Sequence, residues 1–122
     1  MQICLLKSKI HRAIITFQNL NYEGSLSVDR DLMDAAGIYP HERLLLANTT
    51  NGERLETYAI EAPRGSGTIG LNGAAARRGM EGDSITIMSF GFCSEQEAAS
   101  FHPRIIVLDE KQNEIVKRSH EN

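Results

Sequence analysis

Short runs of β-branched and aromatic residues, each closed off within a few positions by Gly, Asn, Asp or Pro, constrain this chain more than any other feature. Two of them are strong. Residues 11–17 contain Ile14, Ile15, Thr16 and Phe17, and residues 84–92 read SITIMSFGF, with Ile85, Ile87, Phe90 and Phe92 as apolar positions. Both predict half-buried strands. Shorter runs at 25–28, 44–47, 57–60, 68–71 and 104–108 predict further strands between turns. A short strand can bury its apolar side only against another sheet or the far wall of its own. Many in succession therefore imply a mainly β chain, built as a small barrel or sandwich.

Helix signals are few. Asp29 can cap a helix from Arg30 to about Ala36, with Leu32, Met33 and Ala36 at helical spacing and Gly37 placed to end it. Ser94, followed by Glu95, Gln96 and Glu97, reads as a second helix start, acidic where the helix dipole favours it, and Pro103 marks a break before the next strand. The charged residues after Asp109 predict a frayed tail. With 122 residues and no linker or repeat, the chain supplies one modest core and is expected to form a single domain over 1–122.

Charge narrows the partners. Thirteen Lys and Arg against sixteen Asp and Glu give a net charge of −3, so nothing draws the chain to nucleic acid. Cys4 and Cys93 form no CxxC pair, and no histidine spacing closes a metal site, so no metal is expected. The apolar run at 3–6 is too short for a membrane span or a signal segment, which makes a cytoplasmic protein with reduced thiols the expectation.

Four segments carry more polar groups than a small β core needs: KSKIHR (7–12), NYEGS (21–25), NGERLETY (51–58) and NGAAAR (72–77). Each has a plain structural reading. KSKIHR can be a solvated strand end, although Lys9 and His11, two residues apart, would share one face as a cationic patch. NYEGS can be a turn, with Gly24 supplying positive φ and Ser25 a backbone hydrogen bond. Its chemical reading is attack of the Ser25 hydroxyl on the Gly24 carbonyl, which needs a constrained turn and oxyanion donors. Asn51-Gly52 is a hairpin turn signal. Beyond it, Arg54, Glu56 and Tyr58 alternate onto one strand face, where an Arg can hold a carboxylate and a Tyr can transfer a proton. NGAAAR can be a turn into a short helix, or can offer the Asn72 amide and the backbone amides after Gly73 to an anion. His41, His102 and His120 show no ligand pattern and read as surface or structural residues.

Taken in order, KSKIHR, LNYEGS, DAAGI, ERLLLANTTNG, NGERLETYAI and LNGAAAR closely resemble the pyruvoyl-dependent aspartate 1-decarboxylase family, which makes β-alanine for pantothenate and coenzyme A synthesis. The resemblance covers nearly the whole chain and thins after about His102. It implies a six-stranded double-psi β-barrel, a homotetramer, and an active site where subunits meet. It also implies self-cleavage between Gly24 and Ser25, giving chains of residues 1–24 and 25–122, with the pyruvoyl group derived covalently from Ser25 and no external cofactor. Maturation in such a family can involve a helper protein.

By the same resemblance Thr57 and Asn72 act in cleavage, and Tyr58 is the proton donor. Lys9, His11 and Arg54 meet the carboxylates of L-aspartate. Thr57, Ile60, Gly73, Ala74 and Ala75 line the substrate pocket. Ala47 departs from relatives that carry a tryptophan there, which bears on the pocket entrance. Two other readings compete: an unprocessed β-barrel that serves as a binding or assembly module, and a pyruvoyl enzyme acting on another amino acid.

Overall fold

The computed structural model describes residues 1–119, so His120 lies outside the described residues. Among them the chain forms β1 (Gln2–Ile14), β2 (Phe17–Asn19), β3 (Ser25–Asp29), β4 (Arg43–Asn48), β5 (Arg54–Ala62), β6 (Ile69–Asn72), β7 (Ser84–Ser94), β8 (Arg104–Leu108) and β9 (Ile115–Arg118). Two short helices, α1 (Arg30–Ala36) and α2 (Glu95–Ala98), and a 3-10 helix at Gly73–Arg77 complete it. The strands form one mixed sheet in the order β2-β6-β3-β5-β4-β7-β1-β8-β9. The mainly β expectation holds, with nine strands in the sheet where the resemblance implies a six-stranded barrel.

This order forces curvature. β2 and β1 stand six strand spacings apart, roughly 29 Å in a flat sheet. Only Ile15 and Thr16 separate them in sequence, a reach of about 11 Å. The sheet therefore bends back on itself, and backbone bonds from Ile15 to Asp83 (3.0 Å) and from Thr16 to Ile69 (2.7 Å) hold the bend. This is why residues 11–17, expected as one strand, are divided between two. The first strand also begins earlier than expected, at Gln2, where it pairs with Ser94.

Register sorts side chains between the two faces. Ile10, Ile87, Leu46 and Leu55 lie in one row across β1, β7, β4 and β5, and the first three are fully or almost fully buried. The next row, Lys9, Met88, Leu45 and Glu56, faces the other way. The core fills the inside of the curve with residues such as Leu26, Val28, Ile69, Leu71 and Ile106, while Phe90 and Phe92 are exposed on the outside. Cys4 pairs with Phe92, and Cys93 with Ile3, so the two thiols point to opposite faces and stay free. No described helix is long and apolar enough to cross a membrane.

The helix signals hold. Asp29 caps α1 by accepting from the Asp31 amide at 2.8 Å, Gly37 ends it at φ 72°, and Ser94 and Glu97 form a reciprocal capping box on α2. The fraying expected after Asp109 is wrong for residues 110–119, and the rest of that stretch lies outside the described residues. Asn113, 3% exposed, accepts from the Ile14 amide and donates to the carbonyls of Ile14 and Gly67, anchoring the chain so that β9 can pair with β8.

Between β1 and the loop before β4, the Lys7 ammonium donates to both Glu42 carboxylate oxygens at 3.0 Å and to the Gly37 carbonyl. Burial alone would raise the Glu42 pKa, but the amide of Tyr39 and the ammonium of Lys7 outweigh it and hold the group below its ordinary value. A lowered folded pKa gives stability that is present above the unfolded value and lost as pH falls through the folded one. The variant Glu42→Gln should therefore melt lower than the parent at pH 7, by about 1 kcal/mol for a hydrogen-bonded pair with some water access. That difference should shrink in thermal melts taken at progressively lower pH, and vanish once pH has fallen through the lowered folded-state pKa and the parent carboxylate is also neutral. A difference that persists at that pH would mean the charge is not its source.

Candidate active site

The antiparallel pairing of β3 with β6 sets Ser25 opposite Asn72 and Ser27 opposite Gly70. Both Ser25 and Asn72 are buried. The Asn72 side-chain amide donates to the Ser25 Oγ at 3.0 Å and to the Ser27 Oγ at 2.9 Å, and the Ser25 hydroxyl donates to the Glu23 carbonyl at 3.1 Å. The serine oxygen is thus oriented from both sides. Asn72 opens the 3-10 helix without accepting a cap hydrogen bond at its side-chain oxygen, and both of its amide hydrogens go to the serines.

Gly73 continues this packing. It has φ 65°, and a Cβ there would lie 2.7 Å from the Gly24 Cα and N and 2.9 Å from the Tyr22 carbonyl. Gly24 itself has no such φ and has open space where its Cβ would be, so the glycine demanded by conformation is Gly73, not Gly24. Gly24 opens onto a cleft of about 380 Å³ lined also by Leu55, Glu56, Thr57, Tyr58, Ala74, Ala75 and Arg78. Parallel pairing of Leu26 with Ala59 places Ser25, at the start of β3, next to Tyr58 in the middle of β5. Asn72 and Ser27 border a second hollow of about 330 Å³ together with Tyr22 and Ile60. Ile60 therefore borders the same hollow as Asn72 and does not line the Thr57–Tyr58 cleft.

The cations lie along the outer sheet face, which Tyr58 shares. Arg54 pairs with Ala47, and Ala47 with Thr86, whose Oγ1 is 3.4 Å from the His11 Nδ1. Lys9 occupies the neighbouring row, so Lys9, His11 and Arg54 share the outer sheet face. Among the described residues neither Lys9 nor Arg54 pairs with a carboxylate, whereas Glu56 takes Arg43 at 2.6 Å. Small Ala47 opposite Arg54 leaves the guanidinium open. No group of metal-ligating side chains occurs among the described residues.

A roomier hollow, about 710 Å³ beside β9, offers less chemistry. Its Asp29 carboxylate accepts from the Asp31, Gly65 and Gly67 amides, and its Asn113 is bonded as described above. Of the residues that shape the candidate site, the sequence reading did not single out Arg78, Ser27 or Tyr22. Ser27 could have been found, because it stands two residues from Ser25 on one strand and hence on the same face. Arg78 could not, since only the turn of the 3-10 helix decides whether it or Arg77 meets the cleft.

A buried serine held by an amide, behind a cleft walled by Thr, Tyr and small residues, with unpaired cations on a nearby face, defines an enzyme site for an anionic substrate. The sequence model of the aspartate decarboxylase family matches residues 1–116. An aspartate 1-decarboxylase from Phenylobacterium zucineum is 50% identical over 117 residues, covering 96% of this chain and 98% of its own length. That of Desulfotalea psychrophila is 51% identical over 115 residues, covering 93% and 97%. That of Bacillus subtilis is 51% identical over 111 residues, covering 91% and 87%. The chain belongs to the aspartate decarboxylase family. The match runs past His102, where the motifs had thinned.

Proposed function

We propose that the chain decarboxylates L-aspartate to β-alanine and CO2 with a pyruvoyl group made from its own Ser25, as a step toward pantothenate. The observation that carries the reading is the buried Ser25 hydroxyl, held by Asn72 beside a glycine backbone that packs on Gly73. Maturation begins with attack of Oγ on the Gly24 carbonyl carbon. The C–N bond breaks, an ester forms, and the proton moves from oxygen to nitrogen. Loss of the Ser25 α-proton then expels the Gly24 carboxylate and leaves a dehydroalanine. Water hydrolyses its imine tautomer to a ketone and ammonia. Thr57 and Asn72 supply donors for the oxyanion that the first attack creates.

Once formed, the ketone group supplies an electron sink for the charge left by departing CO2. The rest falls to the chain. Arg54, Lys9 and His11 hold the substrate carboxylates, selecting an acidic amino acid over a neutral one. Tyr58 delivers the proton that ends the reaction. The amides of Gly73, Ala74 and Ala75 border the pocket, and the apolar Ile60 borders the neighbouring hollow beside Asn72. Arg54 shares the Tyr58 face of β5, while Lys9 and His11 stand three strands away on β1, and the reading includes a homotetramer in which copies meet at the active site so that the cations of one can reach the serine of the next. Exposed Phe90 and Phe92 on that face give the contact its apolar area. The curled sheet corresponds, in this reading, to a six-stranded double-psi barrel with additional strands.

Denaturing mass spectrometry should show two chains, residues 1–24 and 25–122, with the larger lacking a free amino terminus. A purified protein that remains one chain, alone and with cell extract, and releases no CO2 from aspartate would overturn the reading.

A further inference from the structure

The two walls of the cleft do not belong to neighbouring strands. One is β5, which carries Arg54, Thr57 and Tyr58; the other is the 3-10 helix, which carries Ala74 and Ala75. Only the start of β3, with Gly24 and Ser25, lies between them. Something other than sheet pairing must set their separation at the open end.

Arg78 stands there. Its amide closes the 3-10 helix on the Ala75 carbonyl at 3.0 Å. Its carbonyl accepts from the side-chain amides of Asn48 (3.3 Å) and Asn51 (3.0 Å), both in the β4–β5 hairpin. Arg78 lines the cleft, and its Nη1 donates to Glu53 Oε2 at 2.8 Å and to the Arg54 carbonyl at 3.5 Å. The links of its carbonyl and guanidinium run from the helix that follows Asn72 to the hairpin that leads into Thr57 and Tyr58.

We infer that Arg78, through its pair with Glu53, is a positioning residue that fixes the Tyr58 wall against the Ala74–Ala75 wall and so sets the geometry of proton delivery. This rests on the function proposed above. The backbone links survive any substitution at 78, so the guanidinium is the adjustable part. Its pair with Glu53 is about half exposed at both ends, so it adds little to folding stability, and an effect on turnover can be separated from an effect on the fold. Misplacement of a proton donor by a fraction of an ångström to an ångström lowers turnover more than binding.

The test measures kcat and KM for aspartate on the cleaved fraction of the parent, Arg78→Ala, Arg78→Lys, Glu53→Gln and the Arg78→Ala/Glu53→Gln double variant, each with its thermal midpoint. Arg78→Ala and Glu53→Gln should each lose about tenfold in kcat, with KM changed less than about twofold and the midpoint within about 2 °C of the parent. Lysine at 78 should restore part of the loss. The double variant should lose no more than the worse single one, because the two side chains act as one device. A folded Arg78→Ala chain that fails to cleave counts as the same loss of geometry. Parental kcat in either single variant, multiplied losses in the double, or a midpoint drop above about 5 °C in Arg78→Ala would overturn the inference. Failure of the proposed function would show separately, as a parent that neither cleaves nor turns over.

Discussion

The variant Ser25→Ala is expected to stay one chain of 122 residues and to release no CO2 from aspartate, a fall of at least about 10⁴-fold, while folding as the parent does. The two halves of this result have separate physical grounds. Chemistry is lost because no other hydroxyl is bonded within this turn to both the Asn72 amide and the Glu23 carbonyl. The fold survives because Asn72 keeps its second bond, to Ser27 Oγ at 2.9 Å, so its amide is not orphaned and the cost is about 1 kcal/mol. Ser27→Ala is the matched control. It removes the other bond of the same amide, leaves the Ser25 contact in place, and should still cleave. A Ser25→Ala chain that splits after Gly24, or a Ser27→Ala chain as inert as Ser25→Ala, would dissociate the activity from the Ser25 hydroxyl. An unprocessed binding module, the competing reading of the sequence, would be indifferent to both substitutions.

How much of this could be read from the sequence depends on the range of the interaction involved. Local signals were legible: Asp29 and Gly37 bracket α1, Ser94 and Glu97 box α2, and Asn51-Gly52 turns the β4–β5 hairpin. Each is decided within a few residues by side-chain hydrogen bonds or by φ. Interruptions were less legible. β1 shifts register after Leu6 and again after Ile10, and Arg12 adopts φ 65°, so a continuous pattern of alternation does not run through KSKIHR. β9 was hidden because its anchor, Asn113, is one polar residue in a charged stretch; its bonds reach Ile14 and Gly67, 99 and 46 residues away.

The site divides in the same way. Arg54, Glu56 and Tyr58 could be placed on one face because strand alternation is local, and Lys9 with His11 likewise. The contact of Ser25 with Asn72 spans 47 residues and is fixed by the β3–β6 register, which no periodicity encodes. Only the order of motifs shared with the family pointed to it. That resemblance listed the residues without their grouping, and the structure groups them: Ser25, Asn72 and Gly73 at one place, Arg54 and Tyr58 on one face of β5, Lys9 and His11 on that outer face at β1, and Ile60 in the hollow that Asn72 also borders.

The correction from Gly24 to Gly73 leads to the second large effect. A sequence reading assigns the special glycine of this region to Gly24, as the turn residue that supplies positive φ. The geometry reverses the assignment. Gly73→Ala must hold a left-handed φ, at about 1–2 kcal/mol, and must also fit a methyl group 2.7 Å from two backbone atoms of Gly24. Backbone on both sides cannot swing aside as a side chain can. The strain falls on the peptide that is to be broken, displacing the Gly24 carbonyl from the Ser25 hydroxyl. A total loss of about 3 kcal/mol in stability and at least about 100-fold in cleavage rate is expected. Gly24→Ala, in contrast, meets nothing within 4 Å and needs no unusual φ. It should fold within about 1 kcal/mol of the parent and cleave within about tenfold of its rate. Time courses of chain cleavage by mass spectrometry, paired with thermal melts, test both. If Gly73→Ala cleaves as fast as the parent, or Gly24→Ala proves the more damaging of the two, the contact between these glycines does not govern the reaction, and the requirement returns to the carbonyl of Gly24 itself.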